Sequence, residues 1–462
     1  MGFPNLHRPP EWGVEPVPPD KRVLGTFDLF VLWSSLGVGL LVLAAGSLLV
    51  NLYGLNLVEV VAVTIVGSIA GSLMLAAAAR HGSLHGVPTM VSLRPILGRR
   101  GAIVPSFVNA FQLLGWAAFE LLVMGLAASF LVRDFLGPAT TIPATVLIPV
   151  FGLVVLALAW LGPLKVIRTW LERFAFWIML ATTALIAVAL LNQPRNLWER
   201  YNSGAYQGAA SLLLALDLVI VMPISWWPLV ADYNRFARSP RASAVGTTAG
   251  YATSNIAFYT LGAALALFVW ADPTVELGWG DFLVGLSALS LGSFALLIIL
   301  VDETDNAFAN VYSTAVSVQN AVPKAGQFPL IITATAAATV GALALESLHQ
   351  GLGGSFELFL LAIGGVFVPL LGVVIADSFV VRRAGYRPEE FGQASPPLRP
   401  GALAAWALGM LVYFAFYFSP LPQFPPIGAT MPSFAVAAGL HIMFGRFGSP
   451  RPPPSAASRA VE

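Results

Sequence analysis

The residues best suited to do chemistry lie close together in one stretch. Val301–Asn320 reads VDETDNAFANVYSTAVSVQN and carries Asp302, Glu303, Asp305, Asn306 and Asn310. It follows an unbroken apolar run, Phe294–Leu300, and ends at Pro323-Lys324. The hydrophobic length around it, 292–318, suits one membrane helix of about 20–25 residues. At about 100° per residue, Asp302, Asp305, Asn306, Ala309, Asn310, Ser313, Ser317 and Asn320 share one face. A carboxylate at mid-bilayer costs at least ~2.5 kcal/mol, so it must face protein, water or an ion. A soluble loop between two shorter spans is the plainer alternative. The periodicity and the lack of Gly or Pro argue against it, and the stretch reads as an intramembrane site.

A second polar face lies in NAFQLLGWAAFELL, where Asn109, Gln112, Trp116 and Glu120 fall on one side of a helix. An aromatic plate one turn from a carboxylate suits a flat, polar, nitrogen-rich ring. The alternative is a packing Trp and a Glu paired structurally with another span.

Elements that could position these groups follow from composition. The chain has 462 residues, 57% apolar and 10% charged, with a mean hydropathy of +0.79. Ordinary globular domains carry about 25% charged residues, so this composition describes a polytopic membrane protein. A net charge of +1 excludes an electrostatic nucleic-acid binder as the default. No cysteine is present, so disulfides, thiolate metal sites and thiol nucleophiles are excluded. His7, His81, His85, His349 and His441 are scattered and form no metal-ligand spacing. No cofactor is expected.

Twelve apolar segments are expected, near 27–50, 57–80, 104–132, 141–163, 171–192, 207–230, 246–271, 292–318, 328–345, 356–381, 401–418 and 427–446. With the N-terminus inside, 21 of the 24 Lys and Arg fall on the inner side, leaving Arg133, Arg195 and Arg200 outside. The expected organisation is a cytoplasmic tail at 1–26, with no apolar core of a cleavable signal, a twelve-helix membrane domain at 27–446 and a cytoplasmic Pro-rich tail at 447–462. Gly37 and Gly39 follow Ser34 and Ser35 in the first span, and Asp217 and Pro223 interrupt the sixth. Two interrupted spans five apart, of opposite direction, predict a five-plus-five inverted repeat with broken helices 1 and 6, plus two peripheral helices. Gly67 to Gly71 is a GxxxG pattern that predicts close helix packing.

Four stretches resemble the purine–cytosine permeases of the nucleobase–cation symporter-1 family: HGVPTMVSLRPILGRRGAIVPSF, GWAAFE, WWPLVADYNRFARS and VPLLGVVIADSFVVRRAGY. The resemblance implies co-transport of a flat heterocycle with sodium or a proton. It implies that Trp116 stacks on the ring and Glu120 bonds its edge. Asn310 falls on a substrate-binding asparagine, with Asn306 beside it. Gly39 at the first break and Gln112 join the implied substrate contacts. A sodium site would draw on carbonyls near Ser35 and Val38 and on the positions of Thr304 and Asp305, with Asp302 adjacent.

Departures from the family pattern carry their own expectations. Glu120 stands where the family has glutamine, and favours a substrate edge rich in N–H donors. Asp305 replaces a hydroxyl, and either binds a hard cation or carries the transported proton. Sodium is the preferred ion on the oxygen-only shell. The stacking aromatic of the sixth span is displaced: its position falls at Pro223, and Trp226, a turn later, is taken in its place. The leading reading is import of a cytosine- or purine-like compound by a monomer in the cell membrane. A permease for hydroxymethylpyrimidine is the alternative within the family. An ion channel would need a ring of carboxylates, and a membrane enzyme a constellation that the histidines do not supply.

Overall fold

A chain this apolar can satisfy its backbone in lipid only within helices or a closed barrel. The computed structural model describes residues 12–191, 208–269, 279–289, 291–348, 355–418 and 427–448. His7, His349, Arg8, Arg195, Arg200, Arg451, Arg459 and the outer parts of both tails lie outside the described residues. Apart from one isolated bridge between Leu24 and Ala237, the regular structure among the described residues is helical.

The first span is two helices, α1 (Thr26–Ser35) and α2 (Leu40–Asn51), bent by 65° across Leu36–Gly39. Next comes α3 (Leu57–Ala78), begun by a capping box. There the Asn56 side-chain oxygen accepts from the Glu59 N–H at 2.9 Å, and Glu59 Oε2 accepts from the Asn56 N–H at 3.1 Å. The remaining long helices are α4 (Ile103–Leu136), α5 (Ala144–Leu161), α6 (Phe176–Leu191), α7 (Ala209–Ser225), α8 (Trp227–Asn234), α9 (Pro240–Val269), α10 (Trp279–Ser287), α11 (Gly292–Ala321), α12 (Gln327–Ser347), α13 (Ser355–Ala376), α14 (Pro400–Phe418) and α15 (Thr430–Gly448).

Packing relates the two halves of the chain by exchange. Helix α1 packs on α9 as α7 packs on α3, α4 packs on α12 as α11 packs on α5, and α4 and α11 pack on each other. Each pair maps onto its counterpart when the halves are swapped, which is the inverted-repeat character. Small residues make the matching contacts. A Cβ at Gly71 of α3 would lie 2.6 Å from the Ile220 carbonyl of α7, and one at Gly246 of α9 would lie 2.7 Å from the Thr26 carbonyl of α1. The GxxxG pattern thus seats α7 directly on α3.

The expected count of twelve spans is corrected. Among the described residues, seven helices are long and apolar enough to cross a membrane, and the bent α1–α2 pair makes an eighth. Three acids in α11 take that helix off the apolar scale. A second expectation is corrected with it. Among the described residues the first span alone is sharply broken; α7 and α8 run on as one segment, Ala209–Asn234, interrupted at Trp226. Pro223 removes one backbone donor, yet its ring packs on α3, where a Cβ at Gly71 would come within 2.9 Å of Pro223 Cγ.

Candidate substrate and cation site

The break in the first span faces the acidic turn of α11. Ser35, the last residue of α1, places its hydroxyl 2.5 Å from Asp305 Oδ2 and 3.2 Å from Asp302 Oδ1. The first N–H of α2, on Leu40, donates to Glu303 Oε2 at 3.0 Å. Opening N–H groups of a helix lack partners within it and carry the positive end of its dipole, so Glu303 caps α2. Gly39 permits this approach, since a Cβ there would lie 2.7 Å from Glu303 Oε2. Asn306 Nδ2 donates to the Val38 carbonyl at 2.8 Å.

One turn along α11, Asn310 joins the two polar faces. Its Nδ2 donates to Glu120 Oε1 and Oε2 at 2.9 and 3.1 Å, and to the Asn306 carbonyl at 3.1 Å. Farther down, Asn109 Nδ2 donates to Ser317 Oγ at 2.8 Å and to the Pro228 carbonyl at 3.1 Å, tying α4 to α11 and α8. Gln112 Nε2 donates to Asn109 Oδ1 at 2.7 Å. Trp116 stands on α4 between Gln112 and Glu120, its ring edge-on to Phe359 at 5.3 Å.

Glu120, Asp302, Glu303, Asp305, Asn306 and Asn310 are all buried. Among the described residues no Lys, Arg or His forms an ion pair with these carboxylates. Asp302 Oδ2, Asp305 Oδ1, Asn306 Oδ1 and Gln112 Oε1 are buried without a hydrogen-bond partner in the protein. Buried acceptors without donors are costly, so this is a set of acceptors oriented to take protons, a cation or a donor-bearing ligand.

Two expected members stand apart. The Thr304 hydroxyl donates back to the Val301 carbonyl at 2.7 Å, within its own helix. Trp226 is half-buried, with Trp33 edge-on at 6.4 Å and Tyr251 at 6.5 Å as its ring neighbours. Adjacent Trp227 is buried, and its indole N–H donates to the Phe367 carbonyl at 3.0 Å. The cap formed by Glu303 has no signature in sequence. On a helical wheel the residue lies at the edge of the polar face of α11, about 20° from Asn310, and the break in α1–α2 brings a free N–H to it.

With this geometry in place, comparison with known proteins decides the family. Residues 16–437 match the family described as permease for cytosine/purines, uracil, thiamine, allantoin. The chain belongs to this permease family. It is therefore a multi-pass membrane transporter of a small nitrogen heterocycle, and a secondary one. The putative purine-cytosine permease YxlA of Bacillus subtilis is 26% identical over 393 residues, covering 81% of this chain and 80% of that one. The hydantoin permease of Microbacterium maritypicum is 23% identical over 381 residues, covering 79% and 74%. Mhp1, a nucleobase-cation-symport-1 family transporter, in its closed form with bromovinylhydantoin bound, superposes with a TM-score of 0.76 at 18% identity over 95% of each chain. The transporter's fold is thus that of the symporter.

Proposed function

We propose that this permease imports a heterocycle of the cytosine or purine type by proton symport, through a membrane in which both termini face the cytoplasm. Trp116 stacks on the ring and Glu120 reads its donor edge. The observation that carries this reading is the Glu120 carboxylate, fixed through both oxygens by Asn310 one turn from Trp116. An ionised carboxylate only accepts hydrogen bonds, so it complements ring N–H and exocyclic amino groups. Asn306 and Gln112 add acceptors, and Gly39 brings the broken span close. The names of the relatives, for purine, cytosine and hydantoin, support a flat ring bearing N–H groups.

The coupling cation is placed between Asp302 and Asp305. Ser35 has a single hydroxyl proton and touches an oxygen of each. With both acids ionised, one of those contacts would set two acceptors together without a proton of its own. A proton held by the pair removes that conflict. The Thr304 hydroxyl donates to the Val301 carbonyl and the Val38 carbonyl accepts from Asn306, and both oxygens keep lone pairs. The shared Ser35 hydroxyl supports a proton where the sequence favoured sodium.

Labelled cytosine uptake into proteoliposomes tests both parts. An inward proton gradient without sodium should drive accumulation, and a sodium gradient at equal pH should not. Accumulation that requires sodium would overturn the cation assignment. Absence of saturable uptake for every amino-bearing ring would overturn the substrate.

A further inference from the structure

A broken membrane helix offers its opening N–H groups, at the positive end of the dipole, to an anionic group of whatever binds at the break. Here that position is taken from within the protein. Glu303 Oε2 accepts the Leu40 N–H at 3.0 Å, and the absence of a side chain at Gly39 is what lets the carboxylate in. Glu120 is tied to the same helix through Asn310, which also donates to the Asn306 carbonyl. Beside it, Asn306 turns its amide N–H to Val38 and leaves Oδ1 buried without a donor. The ligand-facing surface of the break is thus made of acceptors, and the helix terminus that would attract an anion is closed by one.

We propose that Glu303 is a specificity-determining residue that excludes anionic rings: it fills the α2 terminus and confines transport to uncharged or cationic heterocycles that present donors. The proposal rests on the reading of the site as a heterocycle site, and it adds the charge class of the substrate. A ring bearing a carboxylate would meet the Glu303 and Glu120 carboxylates, and the Leu40 N–H that would receive it is already taken. Removing the Glu303 side chain would reopen that terminus, and its N–H groups would take a small carboxylate.

Competition against labelled cytosine is the first test. The competitors are cytosines substituted at ring carbon 5 or 6 with a carboxylate or with a carboxamide of equal size. Wild type should disfavour the carboxylate by at least about ten-fold relative to the carboxamide, and Glu303→Gln and Glu303→Ala should narrow that gap. Equal inhibition by both competitors in wild type, or an undiminished gap in both variants, would overturn the proposal. A second measurement needs no heterocycle and so separates this inference from the functional reading. Formate should raise the melting temperature of purified Glu303→Ala saturably and leave that of wild type unchanged at equal ionic strength. A variant indifferent to formate, or a wild type stabilised as much as the variant, would contradict the filled terminus.

Discussion

Two clusters of buried acids treat their charge in opposite ways. At the end of α13, Asp377 meets fixed partners on all sides. Its Oδ1 lies 2.7 Å from His441 Nε2, its Oδ2 accepts from Arg382 Nε at 2.8 Å, and Tyr386 also donates to Oδ2. Arg382 continues to Glu390 Oε1 at 3.3 Å and to the Pro95 carbonyl. Among the described residues, Asp302, Glu303 and Asp305 of α11 bond Ser35 and the Leu40 N–H and pair with no Lys, Arg or His. An acid with a fixed cationic partner fastens helices together, here with His441 joining α15 to the end of α13. An acid without one is free to take a proton or cation from outside, which is what the proposed coupling site requires.

Mutations should separate the clusters. The largest effect on transport is expected from Asp305→Asn. Cytosine should still bind and exchange, while accumulation against a gradient falls to background and the pH dependence of uptake flattens. A variant that accumulates cytosine normally would move the coupling site away from Asp305. Trp116→Ala comes next. Base–aromatic stacking contributes about 1–3 kcal/mol, so affinity should fall roughly ten-fold or more while membrane insertion persists. Unchanged cytosine affinity would remove Trp116 from the site. A smaller, qualitative change is expected from Glu120→Gln, because an amide donates as well as accepts. Competition profiles should shift toward oxo-substituted rings such as uracil; profiles that do not move would mean that the carboxylate faces away from substrate. Asp377→Ala should disturb coupling least. It leaves the half-buried Arg382 with Glu390 as its remaining acid and removes the bonds to His441 and Tyr386, at a cost of about 1–3 kcal/mol in stability. Thermal denaturation should register that loss, with the proton-to-substrate ratio unchanged in the surviving protein. A changed ratio would abolish the distinction between the two clusters.

The polar chemistry was more legible in sequence than the architecture. Asp302, Asp305, Asn306 and Asn310 stood out because ionisable groups are rare within apolar helices, and helical spacing put Glu120 with Trp116. The span count is overdrawn: hydrophobic length reads 292–318 as one apolar span, yet the acids within it leave α11 outside the helices apolar enough to cross a membrane. Gly37 and Gly39 signalled the true break, since no side chain could fit between α2 and Glu303. Pro223 signalled a comparable break, but packing against Gly71 keeps α7 and α8 in one line. The roles of Glu303 and Thr304 depend on which neighbour each side chain meets, and helical spacing carries no such information.

The most direct measurement follows protons during downhill entry of cytosine into sodium-free, weakly buffered proteoliposomes with a pH-sensitive dye inside. Wild type should acidify the lumen in step with cytosine entry, and Asp305→Asn should admit cytosine without acidifying it. Cytosine entry through wild type with no acidification, together with a requirement for external sodium, would contradict the assignment of the Asp302–Asp305 pair as a proton carrier.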